Sequence, residues 1–288
     1  MVNIRLSINY NCDDSVDTRD LSLIEKIKGD VMSDARLQDL QEAMPGAIAT
    51  KNKTGFMSAE LSEISKQYIE FSKNCNSVLD IGCAYGISVL PVLDLEKVTV
   101  HAVDLSGEHL KILQSKLTPN QNKYFIPNIS NFPLETDFLP NAFDAIHAAN
   151  VLHFIRGEHF NLALAHCFKW LKPGGKIFVT LCSLYLPHYA NFIGTYQKRK
   201  QDKIRWPGEI ENIQHYMPED APEAEKRSGV EYLHIFTKED LAEKFEEVGF
   251  NIEQSIYFTF EHYQHLKYAD DSRSFVGIVA TKPSDHFI

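Results

Sequence analysis

The feature that most constrains the fold is a short apolar strand that runs into a turn of small residues. Residues 78–86 read Val-Leu-Asp-Ile-Gly-Cys-Ala-Tyr-Gly, and a second predicted strand, residues 98–103, ends at Asp104. Such a turn lets a ligand approach the backbone closely, and an acid after the next strand can accept hydrogen bonds from both hydroxyls of a ribose. The step from Gly82 to Asp104 is close to the roughly 20 residues expected in such a unit. The sequence therefore predicts an α/β fold with a nucleoside-binding loop.

The glycine spacing argues against a dinucleotide site. Ala84 stands where a dinucleotide fingerprint has glycine, and no third glycine follows at the required position. A pyrophosphate over a helix N-terminus needs backbone amides that no side chain obstructs. The carboxylate of Asp80 would also repel a phosphate, whereas it would favour a cationic group. Hydride transfer with a nicotinamide cofactor is therefore the weaker alternative.

Four blocks of the chain, in the usual order, resemble those of the class I S-adenosylmethionine-dependent methyltransferases, a Rossmann-like family. They are residues 80–86, in which Ala84 is the one departure from an acid followed by Gly-x-Gly-x-Gly, then Asp104, residues 143–154 and residues 171–180. The resemblance implies a doubly wound α/β fold whose seven-stranded sheet is mostly parallel, with the last strand antiparallel. It also implies an enzyme that uses S-adenosylmethionine, releases S-adenosylhomocysteine and needs no metal.

The resemblance implies which residues hold the methyl donor. Asp80 would lie near the amino group of the methionine tail, Asp104 would accept from the ribose hydroxyls, and Leu105 would cover one face of the adenine. Phe56, predicted at the start of the helix before the first strand, would shield the sulfonium or act as a hydrophobic staple. The full predicted set is Asp80, Gly82, Cys83, Ala84, Gly86, Asp104, Leu105, Asn128, Ile129, Ala148 and Phe56.

The edge of the adenine is assigned to the residues after the third strand. That strand is predicted near residues 123–126 and is predicted to end at Pro127. The amide oxygen of Asn128 can accept a bond from the exocyclic amine, and the backbone amide of Ile129 is a further donor. The alternative for Asn128 is a plain turn residue.

Methyl transfer is a displacement at carbon, so the enzyme must align the acceptor and, for a hydroxyl acceptor, remove its proton. The predicted catalytic residues are His153, in the loop after the fourth strand, and Tyr185 and His188 after the fifth. A packing role is the alternative for His153. His147 is predicted to be structural, inside its strand.

No metal site is predicted. His262, Tyr263 and His265 lie in a predicted hairpin loop without a matching set of acids. The five cysteines are odd in number and scattered without a Cys-x-x-Cys pair, which argues against both a zinc site and a disulfide framework.

The composition limits the acceptor. A formal net charge of −10 disfavours binding to a phosphate backbone. The basic cluster at residues 198–200 is predicted to be either a solvated helix face or a binding site for an anionic substrate. Aromatic side chains recur through residues 185–260, where they form a pocket for a flat molecule or ordinary lid core. We expect methyl transfer to an oxygen or nitrogen of a small, partly apolar molecule. The alternatives are methylation of a protein or of RNA, the latter disfavoured by charge, and a non-catalytic scaffold that binds S-adenosylmethionine.

The remaining segments divide the chain. Residues 1–55 are predicted to form an appendage with one helix, about residues 21–43, that serves as a lid or as a contact in a homodimer. Residues 56–288 form the methyltransferase domain, and residues 183–234 form a helical or irregular lid insertion after the fifth strand. Ser58 is predicted to cap the helix that precedes the first strand, and Thr237 to cap the last helix.

The sequence contains no apolar run near the roughly 18 residues of a membrane span. Its first ten residues lack the basic start and apolar stretch of a signal peptide. These features favour a cytoplasmic protein that does not contact membranes. The partner that we expect is the small-molecule acceptor.

Overall fold

Strands and helices alternate along the chain as its apolar pattern requires. The computed structural model describes residues 47–51, 56–219, 230–260 and 272–284. The predicted appendage helix and the cluster at residues 262–265 lie outside these ranges. The strands are β1 (Ala47–Ala49), β2 (Phe56–Ser58), β3 (Ser77–Ile81), β4 (Thr99–Asp104), β5 (Phe125–Ile129), β6 (Phe143–Ala149), β7 (Leu171–Cys182), β8 (Glu209–Ile210), β9 (Leu233–His234), β10 (Asn251–Phe258) and β11 (Phe275–Thr281).

The helices pack on both faces of the larger sheet. They are α1 (Glu63–Ser72), α2 (Val89–Leu93), α3 (Gly107–Gln114), α4 (Gly157–Trp170), α5 (Ile193–Gln201) and α6 (Lys238–Val248). Short 3-10 turns cover Gln121–Lys123, Leu152–Phe154, Pro187–Phe192 and Ile213–Tyr216.

Seven strands form one sheet in the order β10-β11-β7-β6-β3-β4-β5. Strands β5, β4, β3, β6 and β7 are parallel, whereas β11 is antiparallel to both of its neighbours, β7 and β10. The predicted doubly wound sheet with an antiparallel last strand is thereby confirmed. The chain builds outward from β3 to β5 and then returns to β6, so the strand order reverses between β3 and β6. In such sheets a ligand crevice forms at the carboxyl ends of the strands on either side of the reversal.

The alternation of side chains along β3 explains how the core and the site share one strand. Leu79 and Ile81 lie in the apolar cluster that includes Trp170 of α4, whereas Val78 lies in the cluster with Tyr68 of α1. Because successive side chains point to opposite faces, Asp80 shares the face of Val78 and lies on the side of α1.

The segment before α1 differs from the prediction. Ser58 is not the N-cap of α1, because residues 56–58 form β2 and pair antiparallel with β1. The cap is Ser62, whose Oγ accepts a hydrogen bond from the backbone N–H of Ser65 at 3.0 Å. Phe56 therefore belongs to a hairpin and not to the start of a helix. This hairpin spans the predicted boundary between residues 55 and 56.

The end of β5 also differs from the prediction. The strand does not stop at Pro127 but continues to Ile129, with Pro127 opposite Ala102 of β4. Because β5 is an edge strand, the missing N–H of proline is tolerated there. The residues that follow the strand are therefore Ser130 and Asn131, two positions beyond those expected.

The predicted insertion has regular structure of its own. Within it lie α5, β8, β9 and two of the 3-10 turns, although its residues 220–229 are outside the described ranges. Leu184, Phe192, Tyr196 and Ile213 form an apolar cluster with Phe275 of β11. The insertion is thus packed against the sheet, and its role as a lid stays a prediction.

Candidate functional site

A cavity of about 340 Å³ opens at the carboxyl ends of the central strands, where the strand order reverses. Its wall includes residues 80–84 at the end of β3, 103–105 at the end of β4, 130–132 after β5 and 149–151 at the end of β6. The volume lies in the range of about 300–1,000 Å³ that is usual for small-molecule sites.

Asp80 brings a buried negative charge to the cavity wall. The residue is 1% exposed, and its Oδ2 accepts hydrogen bonds from Ser88 Oγ at 2.8 Å and from His147 Nδ1 at 2.9 Å. Its Oδ1 has no hydrogen-bond partner in the described part of the chain. A buried carboxylate is costly unless it is fully paired, so this position favours a ligand that presents a cationic donor.

Asp104 is held in place at the end of β4. Its Oδ2 accepts from the backbone N–H of Ala84 at 2.9 Å, and its Oδ1 accepts from the backbone N–H of Ser106 at 2.8 Å. His109 Nδ1 lies 3.1 Å from the same Oδ1. Each carboxylate oxygen can accept two bonds, so Oδ2 can still receive a hydroxyl from a ligand.

The backbone turn between these two acids leaves little room for side chains. Gly82 has φ +70°, and a Cβ added there would lie 2.5 Å from Val151 Cγ2. Gly86 has φ +85°, and its Cβ would lie 2.3 Å from Leu113 Cδ1. Gly86 therefore allows Leu113 of α3 to pack closely against the turn. Gly82 allows the same for Val151, which lines the cavity.

Cys83 is buried in the same turn. Burial, together with the nearby Asp104 and Asp80, raises the pKa of its thiol well above the ordinary value. The thiol therefore stays protonated and is not a nucleophile.

Seven residues of the predicted donor set line the cavity, namely Asp80, Gly82, Cys83, Ala84, Asp104, Leu105 and Phe56. Four do not. Gly86 packs against α3, and the side chain of Ala148 is buried in the core on the opposite face of β6 from His147 and Ala149. Asn128 and Ile129 belong to β5 itself, and the wall begins after them at Ser130.

None of the three predicted catalytic residues lines this cavity. His153 is buried, its Nδ1 accepts from the backbone N–H of Cys182 at 3.2 Å, and burial lowers its pKa to about 3. Such a side chain is a weak proton acceptor. Its burial agrees with the alternative given for His153 above, a packing role. Tyr185 packs edge-on against Tyr257, and His188 is buried in a 3-10 turn. The three side chains therefore lie outside the lining of this cavity, and their catalytic role stays a prediction.

The polar wall beside Asp80 was missed by sequence reasoning. His147 is inside β6 as predicted, yet it also lines the cavity. Its Nε2 lies 3.0 Å from Ser65 Oγ, which in turn lies 3.0 Å from Ser62 Oγ. The alternation of side chains along β6 could have predicted this position. His147 is two residues before Ala149, so both side chains lie on the face of the strand that ends at the cavity.

His109 was missed as well. It lies in the first turn of α3, faces Asp104 and lines the cavity, while its buried Nε2 has no partner among the described residues. Spacing offered a signal, since a residue in the first turn of a helix can reach back to an acid before the cap.

Apolar side chains complete the cavity. They come from the β2 hairpin, from the loops after β5 and β6 and from the residues that follow β10, and they include Phe56, Met57, Phe132, Phe154 and Phe260. The cavity therefore combines carboxylates with an aromatic lining.

Among the residues that the structure describes, no group of three or more His, Cys, Asp or Glu residues is placed to hold a metal ion. No helix in this part of the chain has both the length and the apolar character needed to cross a membrane.

A family model described as a methyltransferase domain matches residues 50–255. A stretch of 134 residues is 25% identical to the phosphoethanolamine N-methyltransferase of Plasmodium falciparum (isolate 3D7), covering 46% of this chain and 49% of that protein. Another of 214 residues is 27% identical to O-methyltransferase 3 of Dictyostelium discoideum, covering 73% of this chain and 44% of that protein. The chain thus matches about half the length of each of these two curated relatives.

The same fold occurs in a solved structure. The S-adenosylmethionine-dependent methyltransferase from Mesorhizobium loti aligns with a TM-score of 0.55 at 14% identity, covering 76% of this chain and 98% of that one.

Proposed function

Because this chain belongs to the methyltransferase domain family, as a class I S-adenosylmethionine-dependent methyltransferase, we propose that it methylates an oxygen or nitrogen atom of a small, partly apolar molecule. The observation that carries this proposal is the cavity at the strand reversal. It has Asp80 and Asp104 on one wall and aromatic side chains such as Phe56 and Phe260 elsewhere in its lining.

The residues of the cavity fit the chemical groups of the donor. When bound, S-adenosylmethionine supplies an activated methyl group on a positively charged sulfur. Asp80 would accept from the ammonium of the methionine tail through its open Oδ1, and Asp104 would accept from a ribose hydroxyl through Oδ2. Leu105, which is 62% exposed at the wall, would cover the adenine.

The adenine edge is reassigned in this proposal. Ser130 and Asn131 line the cavity after β5, so their polar groups replace Asn128 and Ile129 as the candidates that read the adenine. Asn131 offers both an amide oxygen and an NH₂ group, which suits a ring that presents both acceptors and a donor.

Three observations support a small acceptor. The aromatic side chains in the cavity lining suit an apolar or flat acceptor beside the donor. The net charge of −10 disfavours RNA. One relative is named for an amine substrate and another as an O-methyltransferase, which supports nitrogen and oxygen as the candidate acceptor atoms.

The experiment is an acceptor screen that measures formation of S-adenosylhomocysteine. Phenols, catechols and small amines are tested beside a basic peptide and transfer RNA. We expect turnover with at least one small molecule and none with the peptide or the RNA. Asp104→Ala serves as the donor-site control and should abolish the signal. Turnover with the peptide or RNA alone would contradict the proposed acceptor class.

A further inference from the structure

We propose that His147 and Ser65 are positioning residues that hold Asp80 ready for the ammonium group of the donor. This inference rests on the proposed function, because it concerns how the same cavity recognises the methionine tail of S-adenosylmethionine. It assigns a role to a buried hydrogen-bonded chain that runs from α1 through β6 to the end of β3.

The direction of the hydrogen bonds can be worked out at Asp80. A carboxylate only accepts, so Nδ1 of His147 must carry the hydrogen that it donates to Oδ2 at 2.9 Å. Ser88 Oγ donates to the same oxygen at 2.8 Å. Both donors therefore hold Oδ2, which leaves Oδ1 as the oxygen that is open to a ligand. The two bonds fix the rotation of the carboxylate.

His147 is itself held on its other side. Its Nε2 bonds with Ser65 Oγ at 3.0 Å, and its ring stacks on Tyr68 with 4.6 Å between ring centroids and 12° between ring planes. A flip of the ring would break the bonds to both Asp80 and Ser65. Ser65 is fixed in turn, because it lies in the first turn of α1 next to the capping Ser62. The orientation of Asp80 thus depends on residues that a ligand need not touch.

Burial increases the effect that the orientation of Asp80 has on ligand binding. Asp80 and His147 are each 1% exposed, so little water competes for the open oxygen. A charge-assisted hydrogen bond is stronger in such a setting than in water, and an unpaired buried charge is correspondingly costly. The cavity should therefore prefer adenosyl ligands that carry an ammonium over ligands that lack it.

The test compares two ligands that differ only in that group. S-adenosylhomocysteine and its deaminated analogue, in which hydrogen replaces the amino group, are titrated by calorimetry into the protein and its variants. We expect the unaltered protein to prefer S-adenosylhomocysteine by roughly 10- to 100-fold, the value of a hydrogen bond to a charged group. His147→Leu should reduce the preference below about threefold, and Ser65→Ala should give an intermediate value.

Two further variants separate positioning from general damage. His147→Asn keeps a side-chain N–H that can donate to Asp80, so it should retain most of the preference. Ser72→Ala removes another buried serine hydroxyl from α1, one that donates to the backbone oxygen of Tyr68, and should leave the preference unchanged. Thermal unfolding of each variant verifies that it is folded. If His147→Leu does not fold, the ligand preferences of Ser65→Ala and His147→Asn test the positioning role.

The outcomes distinguish this inference from the proposed function. A preference that survives in both His147→Leu and Ser65→Ala would overturn the positioning role while the donor site stands. Equal binding of both ligands by the unaltered protein would overturn it in the same way. If neither ligand binds, the proposed function fails and the inference fails with it.

Discussion

Single residues in the turn after β3 determine how closely a ligand can approach. Ala84 has φ +45°, the left-handed conformation that L side chains adopt at a cost of about 1–2 kcal/mol. The chain keeps this conformation, and the backbone N–H of Ala84 donates to Asp104 as a consequence. The departure from the family's glycine pattern therefore places a side chain at a position whose backbone conformation favours glycine.

Replacing Ala84 with glycine tests this interpretation. Ala84→Gly should stabilise the protein by about 0.5–1 kcal/mol, because relief of the left-handed strain exceeds the entropy that glycine adds to the unfolded chain. Chemical denaturation measures the change. Ala163→Gly, at a buried position within α4, is the matched control and should destabilise by about 1 kcal/mol or more. Destabilisation by Ala84→Gly would contradict the account.

Asp80 and Asp104 could be predicted from the sequence, whereas the hydrogen bond between His147 and Asp80 could not. Asp80 and Asp104 end apolar strands, which is a local signal. His147 lies 67 residues from Asp80, and its contact with that carboxylate depends on the pairing of β6 with β3. Hydrogen bonds between distant positions leave no mark on spacing, so His147 was interpreted as part of the strand alone.

At the scale of elements, two buried histidines tie the loop after β6 to its neighbours. His153 Nδ1 accepts from the backbone N–H of Cys182 in β7, and His234 Nδ1 in β9 lies 3.3 Å from the carbonyl oxygen of Ile155. Burial lowers the pKa of both imidazoles from 6.5 to about 3. Both side chains are therefore neutral in the folded protein at ordinary pH.

This burial predicts an acid-sensitive stability. Between about pH 6.5 and pH 3 the unfolded chain binds protons at these histidines and the folded chain does not, so stability is present above pH 6.5 and falls as pH falls. Each histidine should contribute a slope of about 1.4 kcal/mol per pH unit. Denaturation of His153→Gln, whose amide oxygen can still accept from Cys182, should show a slope reduced by that amount between pH 6 and pH 4. An unchanged slope would contradict the burial of a neutral His153.

The ends of helices and strands can be predicted where they depend on local residues, but not where they depend on the whole sheet. The Thr237 cap of α6 follows a local rule and occurs as predicted, and the left-handed Gly249 ends the same helix. Pro127 was interpreted as a strand end because proline lacks an N–H, but β5 lies at the sheet edge, where that donor is not needed. Which strand lies at an edge is a property of the whole sheet. The error moved the predicted adenine contacts by two residues.

At the scale of the whole molecule, the site follows from the topology. The reversal of strand order between β3 and β6 brings the ends of these strands together with that of β4, although their residues are far apart in the chain. The number of strands in this sheet and its antiparallel last strand were predicted from the resemblance to the class I methyltransferases. The β2 hairpin and the packed insertion were not predictable in the same way, because their short strands are stabilised by contacts with the rest of the fold.

We expect the cavity to bind an adenosyl methyl donor through Asp104. Calorimetric titration of S-adenosylmethionine and S-adenosylhomocysteine, beside NAD, measures this binding. Asp104→Ala is compared with Asp202→Ala, which removes an exposed aspartate that pairs with Lys198 at the end of α5. We predict micromolar binding of both adenosyl ligands, none of NAD, and at least a tenfold loss in Asp104→Ala alone. A preference for NAD, or equal binding by the protein and its Asp104→Ala variant, would contradict the claim.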